Sequence, residues 1–265
     1  MTDTRYLQPG YSARYIEAEW GDFLLKHARF PEGRGTPFDF GARNIPFYTG
    51  VVEFLRENLR KMPDFRLERV ADIGCASGRL VREICEGFES VTDVRGYEPS
   101  PKLCALARQM VLGEPLSPQL LINHLPLDGF LRLDVTPELR DALRSEAAQR
   151  KARFFEATAE TAPITHEYFD IVCCLNVIDR HPDPRALMTT LRYLIRKDGL
   201  LCVGSPLDWQ ESGTAVELRE DTVTAYLDAA TWRIIDQRDI EYQFRTNSRR
   251  ILHYSSQVVL AQRLR

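Results

Sequence analysis

The chain has 265 residues, of which 44% are hydrophobic and 28% are charged, and its net charge is −3. This length allows one large α/β domain, or one domain with a small addition. A pI near 6.0 argues against a nucleic-acid partner, because neutralising phosphates needs a basic face. We therefore expect a globular protein that does not bind nucleic acid.

No apolar run approaches the roughly 20 residues of a membrane span, and residues 1–10 lack the apolar centre of a signal peptide. The six cysteines form no CxxC pair, and the five histidines show no metal-ligand spacing. These features predict a cytoplasmic protein with reduced cysteines, no membrane association and no metal.

Residues 1–65 form the first predicted region. Tyr15–Lys26 and Thr49–Lys61 carry apolar residues at helical spacing. The segment between them is rich in glycine and proline, which predicts a loop. We expect this region, including Arg43 and Tyr48, to form a helical cap or lid over the domain that follows.

From residue 66 to residue 265, strand and helix patterns alternate, which predicts an α/β domain. Five strands are predicted in the segments LERVADIG, VTDVRGYEP, ARFFEA, YFDIVCCLN and LLCVGSP. Helices are predicted at Arg79–Glu86, Ser100–Val111, Pro184–Arg196 and Glu217–Ala230. Residues 112–150 interrupt the alternation and predict an insertion, a loop followed by a charged helix around Pro137–Arg150.

The end of the chain predicts two closing strands, Trp232–Tyr242 and Gln257–Arg263, separated by a short polar turn at Thr246–Arg250. Because the connection is short, we expect these strands to pair antiparallel. The whole series predicts a Rossmann-like, seven-stranded, mostly parallel sheet with a terminal antiparallel hairpin and helices on both faces. A fold does not define a function, so the residues at the strand ends carry the functional argument.

The first predicted strand runs into a glycine-containing turn, Asp72–Gly78. Gly74 allows a tight turn and a close approach of the backbone to a ligand, and Gly78 allows the following helix to pack on the sheet. Glu98 ends the second predicted strand, 20 residues beyond Gly78. That spacing is typical of an acid that accepts hydrogen bonds from ribose hydroxyls. A dinucleotide and S-adenosylmethionine both remain compatible with these two features.

The order Asp72-x-Gly74-x-Ala76-x-Gly78 differs from the GxGxxG of dinucleotide sites. It resembles motif I of class I S-adenosylmethionine-dependent methyltransferases, and the resemblance covers about residues 67–263. Ala76 stands at a common glycine position, and Thr158 stands where the family usually has an aspartate for the adenine amino group. The resemblance implies S-adenosylmethionine as cofactor, bound by Asp72, Gly74, Cys75, Ala76, Gly78, Arg79, Glu98, Pro99, Thr158, Ala159, Leu175 and Asn176.

The segment Cys174–Pro184 resembles the region after strand four in two groups of enzymes. One is the C-terminal methyltransferase domain of ovothiol-forming enzymes, and the other is the protein-histidine N1-methyltransferases. The loop Gly74–Arg79, the Phe-Gly-x-x-Asn44 segment and the Ser205-Pro-x-x-Trp209 segment are also similar to the ovothiol domain. The resemblance implies an N-methyltransferase that acts on a histidine-like imidazole, in a free histidine derivative or in a peptide.

Methyl transfer to an imidazole requires one bare ring nitrogen. A free imidazole with a pKa near ~6.5 is largely neutral at pH 7, and a hydrogen-bond acceptor facing one nitrogen fixes the tautomer. Asp179 is the predicted catalytic acceptor, with Asn176 as a second catalytic residue that orients cofactor or ring. The predicted substrate-binding residues are Arg180, Tyr48, Trp209 and Tyr242.

Three alternatives stay open at the level of sequence. Asp179 and Arg180 could form an ion pair on the surface at a helix N-terminus. The acceptor could be another small-molecule amine, hydroxyl or carboxylate. The chain could also be a non-catalytic cofactor-binding partner of another enzyme, although Asp72, Gly74, Gly78 and Glu98 occurring together argue against that.

Overall fold

The computed structural model describes residues 9–29, 46–125, 129–164, 166–209, 213–247 and 250–264. Arg43 was predicted to belong to the lid, and Asn44 is part of the ovothiol resemblance. Both residues lie outside the described residues.

Two helices precede the sheet, as predicted. Helix α1 spans Pro9–His27 and helix α2 spans Phe47–Leu59. The buried face of α2, which includes Val51 and Phe54, packs on the first helix of the α/β domain. Helix α1 contacts the strand Gln119–Leu125 of the insertion and the strand Trp232–Asn247 of the terminal hairpin. Its contacts include the Tyr15–Phe244 ring pair and the Glu17–Arg245 ion pair.

Nine strands lie within the described residues: β1 (Arg69–Ile73), β2 (Asp93–Tyr97), β3 (Gln119–Leu125), β4 (Gly129–Asp134), β5 (Ala152–Phe155), β6 (Phe169–Leu175), β7 (Ile195–Ser205), β8 (Trp232–Asn247) and β9 (Arg250–Arg263). Five further α-helices follow α2 within the same residues: α3 (Arg79–Gly87), α4 (Pro101–Ala107), α5 (Pro137–Leu143), α6 (Glu146–Lys151) and α7 (Pro184–Leu194).

Seven strands form one sheet in the order β5-β2-β1-β6-β7-β9-β8. The pairs from β5 to β7 are parallel, and β9 pairs antiparallel with both β7 and β8. The predicted Rossmann-like sheet with a terminal antiparallel hairpin is therefore confirmed. The strand order reverses between β1 and β6, which is where open α/β sheets bind ligands.

Strand β6 shows why this sheet is covered on both faces. All seven of its residues are buried. Ile171 and Cys173 face one apolar core, whereas Val172 and Cys174 face a second core on the opposite side. A strand buried on both faces reads as a continuous apolar run, which is the pattern that predicted it from the sequence.

The insertion at 112–150 differs from its prediction. Strands β3 and β4 form a separate two-stranded antiparallel sheet where a loop was expected. The single helix predicted around Pro137–Arg150 is divided into α5 and α6, because Arg144 adopts an extended conformation and Ser145 caps α6. The Ser145 side-chain oxygen accepts a hydrogen bond from the amide of Ala148 at 3.2 Å.

The helix predicted at Glu217–Ala230 is wrong. The segment contains two short 3₁₀ turns, Val216–Leu218 and Val223–Tyr226, joined by irregular backbone. Consecutive β-branched residues at Thr222–Thr224 disfavour a helix. The segment is anchored instead by long-range contacts: the amide of Val223 donates to the Gln257 side chain at 2.6 Å.

The terminal hairpin is longer than predicted. Strand β9 pairs with β7 only from Gln257 to Gln262, but the β8–β9 pairing continues to Asn247 and Arg250. The turn predicted at Thr246–Arg250 is accordingly shorter. The protruding end of the hairpin reaches α1, where the guanidinium of Arg245 lies 2.8 Å from the carboxylate of Glu17. Strand β3 contacts both α1 and β8. Helix α1, the insertion and the terminal hairpin therefore pack together.

Candidate active site

The turn between β1 and α3 is held in a conformation that favours glycine. Gly74, Ala76 and Gly78 have φ angles of 76°, 43° and 83°. The amides of Gly74 and Cys75 donate to the carbonyl of Tyr97 at 2.8 and 3.1 Å, which ties the turn to the end of β2. The turn therefore has a fixed shape at the reversal point of the sheet.

Both glycines also sit where a side chain has no room. A Cβ atom at Gly74 would lie 2.5 Å from Cγ2 of Val177, in the loop after β6. A Cβ at Gly78 would lie 2.9 Å from the ring of Phe154 on β5. The turn after β1 and the loop after β6 thus touch, so residues predicted from separate motifs lie next to each other.

Glu98 follows β2 and is 6% exposed. Its carboxylate oxygens accept hydrogen bonds from the amides of Ala76 at 3.0 Å and Ser100 at 2.8 Å. Each oxygen can accept more than one bond, so Glu98 retains capacity for hydroxyl donors. Burial raises the pKa of Glu98 to about 7. Pro99, which follows, is exposed.

Glu19 is a buried acid beside this turn that no sequence motif predicts. It lies on α1, and its Oε2 accepts from the amide of Ser77 at 3.0 Å and from the Ser77 hydroxyl. The hydroxyl of Tyr48 donates to Oε1 at 3.1 Å. Burial, reinforced by the charge of Glu98, raises the pKa of Glu19 to about 7. Tyr48, predicted to bind substrate, therefore contacts α1 through Glu19, and a substrate contact stays a prediction.

Asp72, the first residue of the predicted motif, is 3% exposed near the end of β1. Burial and the charges of Glu19 and Glu98 raise its pKa well above the usual value. Three carboxyl groups thus surround one turn in a water-poor environment. Cys75 is buried as well, and burial raises the pKa of its thiol.

Arg79, which the resemblance assigned to the cofactor, is held by other residues. Its guanidinium makes two hydrogen bonds to the carboxylate of Asp22, at 2.8 and 2.9 Å, and one to Glu83 at 2.8 Å. It also donates to the main-chain carbonyl of Glu19 at 3.1 Å. These bonds join α3 to α1, which gives Arg79 a structural role. A contact between Arg79 and the cofactor stays a prediction.

The residues after β5 form a small turn. The Thr158 hydroxyl lies 3.1 Å from that of Thr161, and the amide of Thr158 donates to the same Thr161 oxygen at 2.9 Å. Ala159 is buried beside them. The Thr158 hydroxyl can still accept from an adenine amino group, and that contact stays a prediction.

The loop after β6 carries the predicted catalytic residues. Leu175 is buried at the strand end, and Asn176 has a φ of 57°. The Asn176 amide donates to the carbonyl of Gly204 at 2.7 Å, and its side-chain oxygen accepts from the Ser256 hydroxyl at 2.8 Å. Asn176 is therefore fixed between β7 and the terminal hairpin.

Asp179 is 1% exposed, which excludes the surface ion pair considered from the sequence. Its Oδ2 accepts from the amide of Asp208 at 3.2 Å and lies 3.8 Å from the guanidinium of Arg180. Its Oδ1 is buried with no hydrogen-bond partner among the described residues. Burial raises the pKa of Asp179, although Arg180 and the Ser205 hydroxyl act in the opposite direction.

Aromatic residues of the terminal hairpin accompany Asp179. Tyr242 stacks on Tyr254 with a centroid separation of 5.0 Å. The Tyr254 hydroxyl donates to Asp208 at 3.1 Å, and Arg180 lies 3.7 Å from the same carboxylate. Burial, followed by the charge of Asp179, raises the pKa of Tyr242. Asp179, Arg180, Asp208 and the two tyrosines, called here the acceptor cluster, form one group.

Trp209 lies next to this group in the chain. The guanidinium of Arg219 lies 5.9 Å from its ring, and the ring packs on the second apolar core. Its role in substrate binding stays a prediction. Tyr254 belongs to no motif, and Asp208 is an unspecified position of the Ser205–Trp209 segment, so both were missed. Only the hairpin register and the loop after β7 bring them to Asp179.

Among the described residues, no helix is long and apolar enough to cross a membrane. Within those same ranges, no group of three or more histidine, cysteine, aspartate or glutamate side chains could hold a metal ion. All six cysteines are buried and none is in a disulfide.

A family described as a methyltransferase domain matches residues 46–252, most of the chain. No curated protein matches the sequence significantly. Similar solved structures include magnesium protoporphyrin IX methyltransferase from Synechocystis PCC 6803 with bound SAM, with 14% identity, coverage of 97% of each chain and a TM-score of 0.53. A SAM-dependent methyltransferase from Leishmania major shares 13% identity over 98% of this chain and 85% of that chain, with a TM-score of 0.53.

At these identities the similarity to solved structures shows the fold alone. The family match carries the identification, and the chain belongs to the methyltransferase-domain family. It is an S-adenosylmethionine-dependent methyltransferase with a Rossmann-like fold.

The charges around the turn after β1 fit this cofactor. S-adenosylmethionine carries a sulfonium and an ammonium, both cationic, together with one carboxylate. Three acids near the turn are buried: Asp72, Glu98 and Glu19. A bound cation would stabilise the ionised form of each acid. Glu98 is placed at the end of β2, where a ribose acceptor is expected.

We expect Glu98→Gln to weaken S-adenosylmethionine and S-adenosylhomocysteine together, because both carry the ribose. Loss of a charge-assisted hydrogen bond costs about 1.5–3 kcal/mol, so each dissociation constant in calorimetry rises about tenfold or more. Glu217→Gln, at an exposed position, is the control and leaves both constants unchanged. NAD shows no saturable binding, and tight NAD binding would contradict the cofactor assignment.

We expect the cofactor-free protein to lose stability as the pH rises. Glu19 and Glu98 have pKa values of about 7 in the folded chain and 4.5 as reference. Their contribution to the free energy of unfolding is therefore fully present below the pKa of the unfolded chain. It is lost as the pH rises through the pKa of the folded chain. The free energy of unfolding in urea should fall by roughly 2 kcal/mol per carboxyl between about pH 5.5 and about pH 8. A flat or rising profile over this interval would contradict the buried-acid description.

Proposed function

We propose that this enzyme transfers the methyl group of S-adenosylmethionine to a ring nitrogen of a histidine-like imidazole, in a free histidine derivative or a histidine-containing peptide. The observation that carries the proposal is the Asp179 carboxylate, which is buried and has one oxygen without a partner among the described residues. A buried acceptor without a donor is costly, and the N–H of a neutral imidazole is a donor of the right kind.

The position of Asp179 supports this role. It follows β6, the strand that borders the turn after β1 at the reversal point of the sheet. By accepting a hydrogen bond from the N–H of one ring nitrogen, Asp179 leaves the lone pair of the other nitrogen free to attack. The raised pKa of Asp179 also makes it a better acceptor for the proton that the methylated ring gives up.

The other members of the acceptor cluster support an aromatic, nitrogen-containing acceptor. The Tyr242–Tyr254 pair offers aromatic surface beside Asp179. Asn176 is anchored by Gly204 and Ser256, so it can orient the reacting groups. The bound cofactor supplies the electrophilic methyl group, while the residues of the chain position the ring and hold its proton.

A small cationic amine is the second candidate acceptor. Asp208 places a second carboxylate beside the tyrosine pair, and acids with aromatic rings bind ammonium groups by charge and cation–π attraction. Arg180 lies 3.7 Å from Asp208 and reduces that negative charge, which favours the neutral imidazole over the amine.

An acceptor panel tests the proposal. The release of S-adenosylhomocysteine is measured with histidine, mercaptohistidine, carnosine-like dipeptides, histidine-containing peptides and simple amines. We expect turnover only with compounds that carry an imidazole. Turnover with amines alone would favour the second candidate, and cofactor binding without turnover on any compound would favour a non-catalytic partner.

A further inference from the structure

Glu19 lies outside every motif from which the cofactor was predicted, yet it contacts the turn after β1 directly. Its carboxylate accepts from both the amide and the hydroxyl of Ser77, between Ala76 and Gly78. The adjacent Trp20 donates its indole N–H to the same hydroxyl at 2.9 Å. Two consecutive residues of α1 therefore fix one residue of the turn, over a sequence separation of 57 and 58 positions.

The charge of Glu19 is not cancelled by these contacts, because Ser77 and Tyr48 are neutral hydrogen-bond partners. The titratable and charged groups that face it from the neighbouring elements are Tyr48 on α2, Asp72 on β1, Glu98 after β2 and Arg79 on α3. Arg79 meets the main-chain carbonyl of Glu19 and directs its guanidinium to Asp22 and Glu83. The nearby Glu17 is paired with Arg245.

We propose that Glu19 is a cofactor-selecting residue: its buried carboxylate fixes the turn through Ser77 and supplies negative charge that favours S-adenosylmethionine over S-adenosylhomocysteine. The two molecules share the ribose, adenine and amino-acid groups, and they differ in charge only at sulfur, which is cationic in the first and neutral in the second. Hydrogen bonds to the shared groups contribute to both affinities, so selection between the two ligands depends on charge that acts on the sulfur. A buried carboxylate near the turn can, because electrostatic interactions extend further in a water-poor site.

Electrostatic coupling among the three acids supports the proposal. Glu19 raises the pKa of Asp72, and Glu98 raises that of Glu19, so the three carboxyl groups lie within interaction range. A cationic ligand reduces this mutual repulsion and a ligand with a neutral sulfur reduces it less. The same difference would help the enzyme to release its product.

The test compares the two dissociation constants in the native enzyme and in Glu19→Gln by calorimetry. Glutamine is nearly isosteric: its oxygen can still accept from Ser77 and its NH2 can donate to the Tyr48 hydroxyl, but it carries no charge. We expect affinity for S-adenosylmethionine to fall about three- to tenfold more than affinity for S-adenosylhomocysteine. Glu17→Gln is the matched control, a buried glutamate on the same helix that faces Arg245, and it should leave the ratio of the two constants unchanged.

A purely structural role predicts a different result, since a loosened turn weakens both ligands equally. An equal loss of both affinities would therefore overturn the proposal. If Glu19→Gln does not fold, the ratio of the two constants is titrated in Glu98→Gln, which removes the other carboxyl group with a pKa of about 7. Because the ionised carboxylate does the selecting, the preference for S-adenosylmethionine should increase between about pH 6 and about pH 8. A preference that does not change over this range would also overturn it.

Discussion

We expect Asp179→Asn to reduce methyl transfer by about 10²–10⁴, the contribution typical of a positioned acid–base group. Asparagine keeps the shape of the side chain but can present an N–H to the imidazole ring, so the tautomer is no longer enforced. It also cannot take up the proton that the methylated ring releases. Because the lost interaction develops mainly in the transition state, turnover should fall while cofactor affinity stays within about threefold of the native value.

Asp183→Asn is the matched control for this variant. Asp183 lies in the same loop and caps α7, where its Oδ1 accepts from the amide of Ala186 at 2.9 Å. Asparagine is also a good N-cap, so this control removes a charge near Asp179 and leaves the fold intact. We expect nearly native turnover for the control. Native turnover for Asp179→Asn with its imidazole acceptor would refute the proposed mechanism but not the methyltransferase assignment, which rests on the family match.

We expect Gly74→Ala to cause a large loss of cofactor affinity. The added Cβ would lie 2.5 Å from Cγ2 of Val177, a branched side chain that cannot simply rotate its end away. A φ of 76° adds a conformational cost of about 1–2 kcal/mol. Together these effects displace the turn after β1 and the loop that carries Asn176. The affinity for S-adenosylmethionine in calorimetry should therefore fall about 100-fold or more.

Gly213→Ala is the control for the glycine variant, because a Cβ at that position meets nothing within 4 Å. The double variant Gly74→Ala/Val177→Ala removes the close contact but not the backbone strain, and it should recover part of the lost affinity. Unchanged affinity in Gly74→Ala would show that the cofactor does not depend on this turn.

The sheet and the turn after β1 could be predicted from the sequence because their signals are local. The apolar run of β6 and the glycines of the turn each predict structure within a few residues. Ser100 likewise caps α4, with its side chain accepting from the amide of Leu103 at 3.4 Å. Parallel pairing then places Glu98 and Asn176 at the same edge of the sheet, as the strand order implied.

The remaining site residues depend on tertiary contacts that no local pattern encodes. Glu19 is an ordinary helical glutamate until α1 packs on the turn. Tyr254 reaches Asp208 because the terminal hairpin extends well beyond its pairing with β7. Tyr48 was assigned to the substrate for its position in the predicted lid; its hydroxyl donates to Glu19, and a substrate contact stays a prediction. Helical spacing also failed at Glu217–Ala230, where tertiary anchoring replaced a local preference.

The central claim, methyl transfer to an imidazole nitrogen, is tested most directly by locating the transferred carbon. The enzyme is incubated with S-adenosylmethionine labelled with ¹³C in the methyl group and with the acceptor that is active in the panel, and the product is examined by NMR. The proposed mechanism predicts a single labelled methyl group on one ring nitrogen of an imidazole, and loss of that signal in Asp179→Asn. A labelled methyl group on an amine, a hydroxyl or a carboxylate would contradict it.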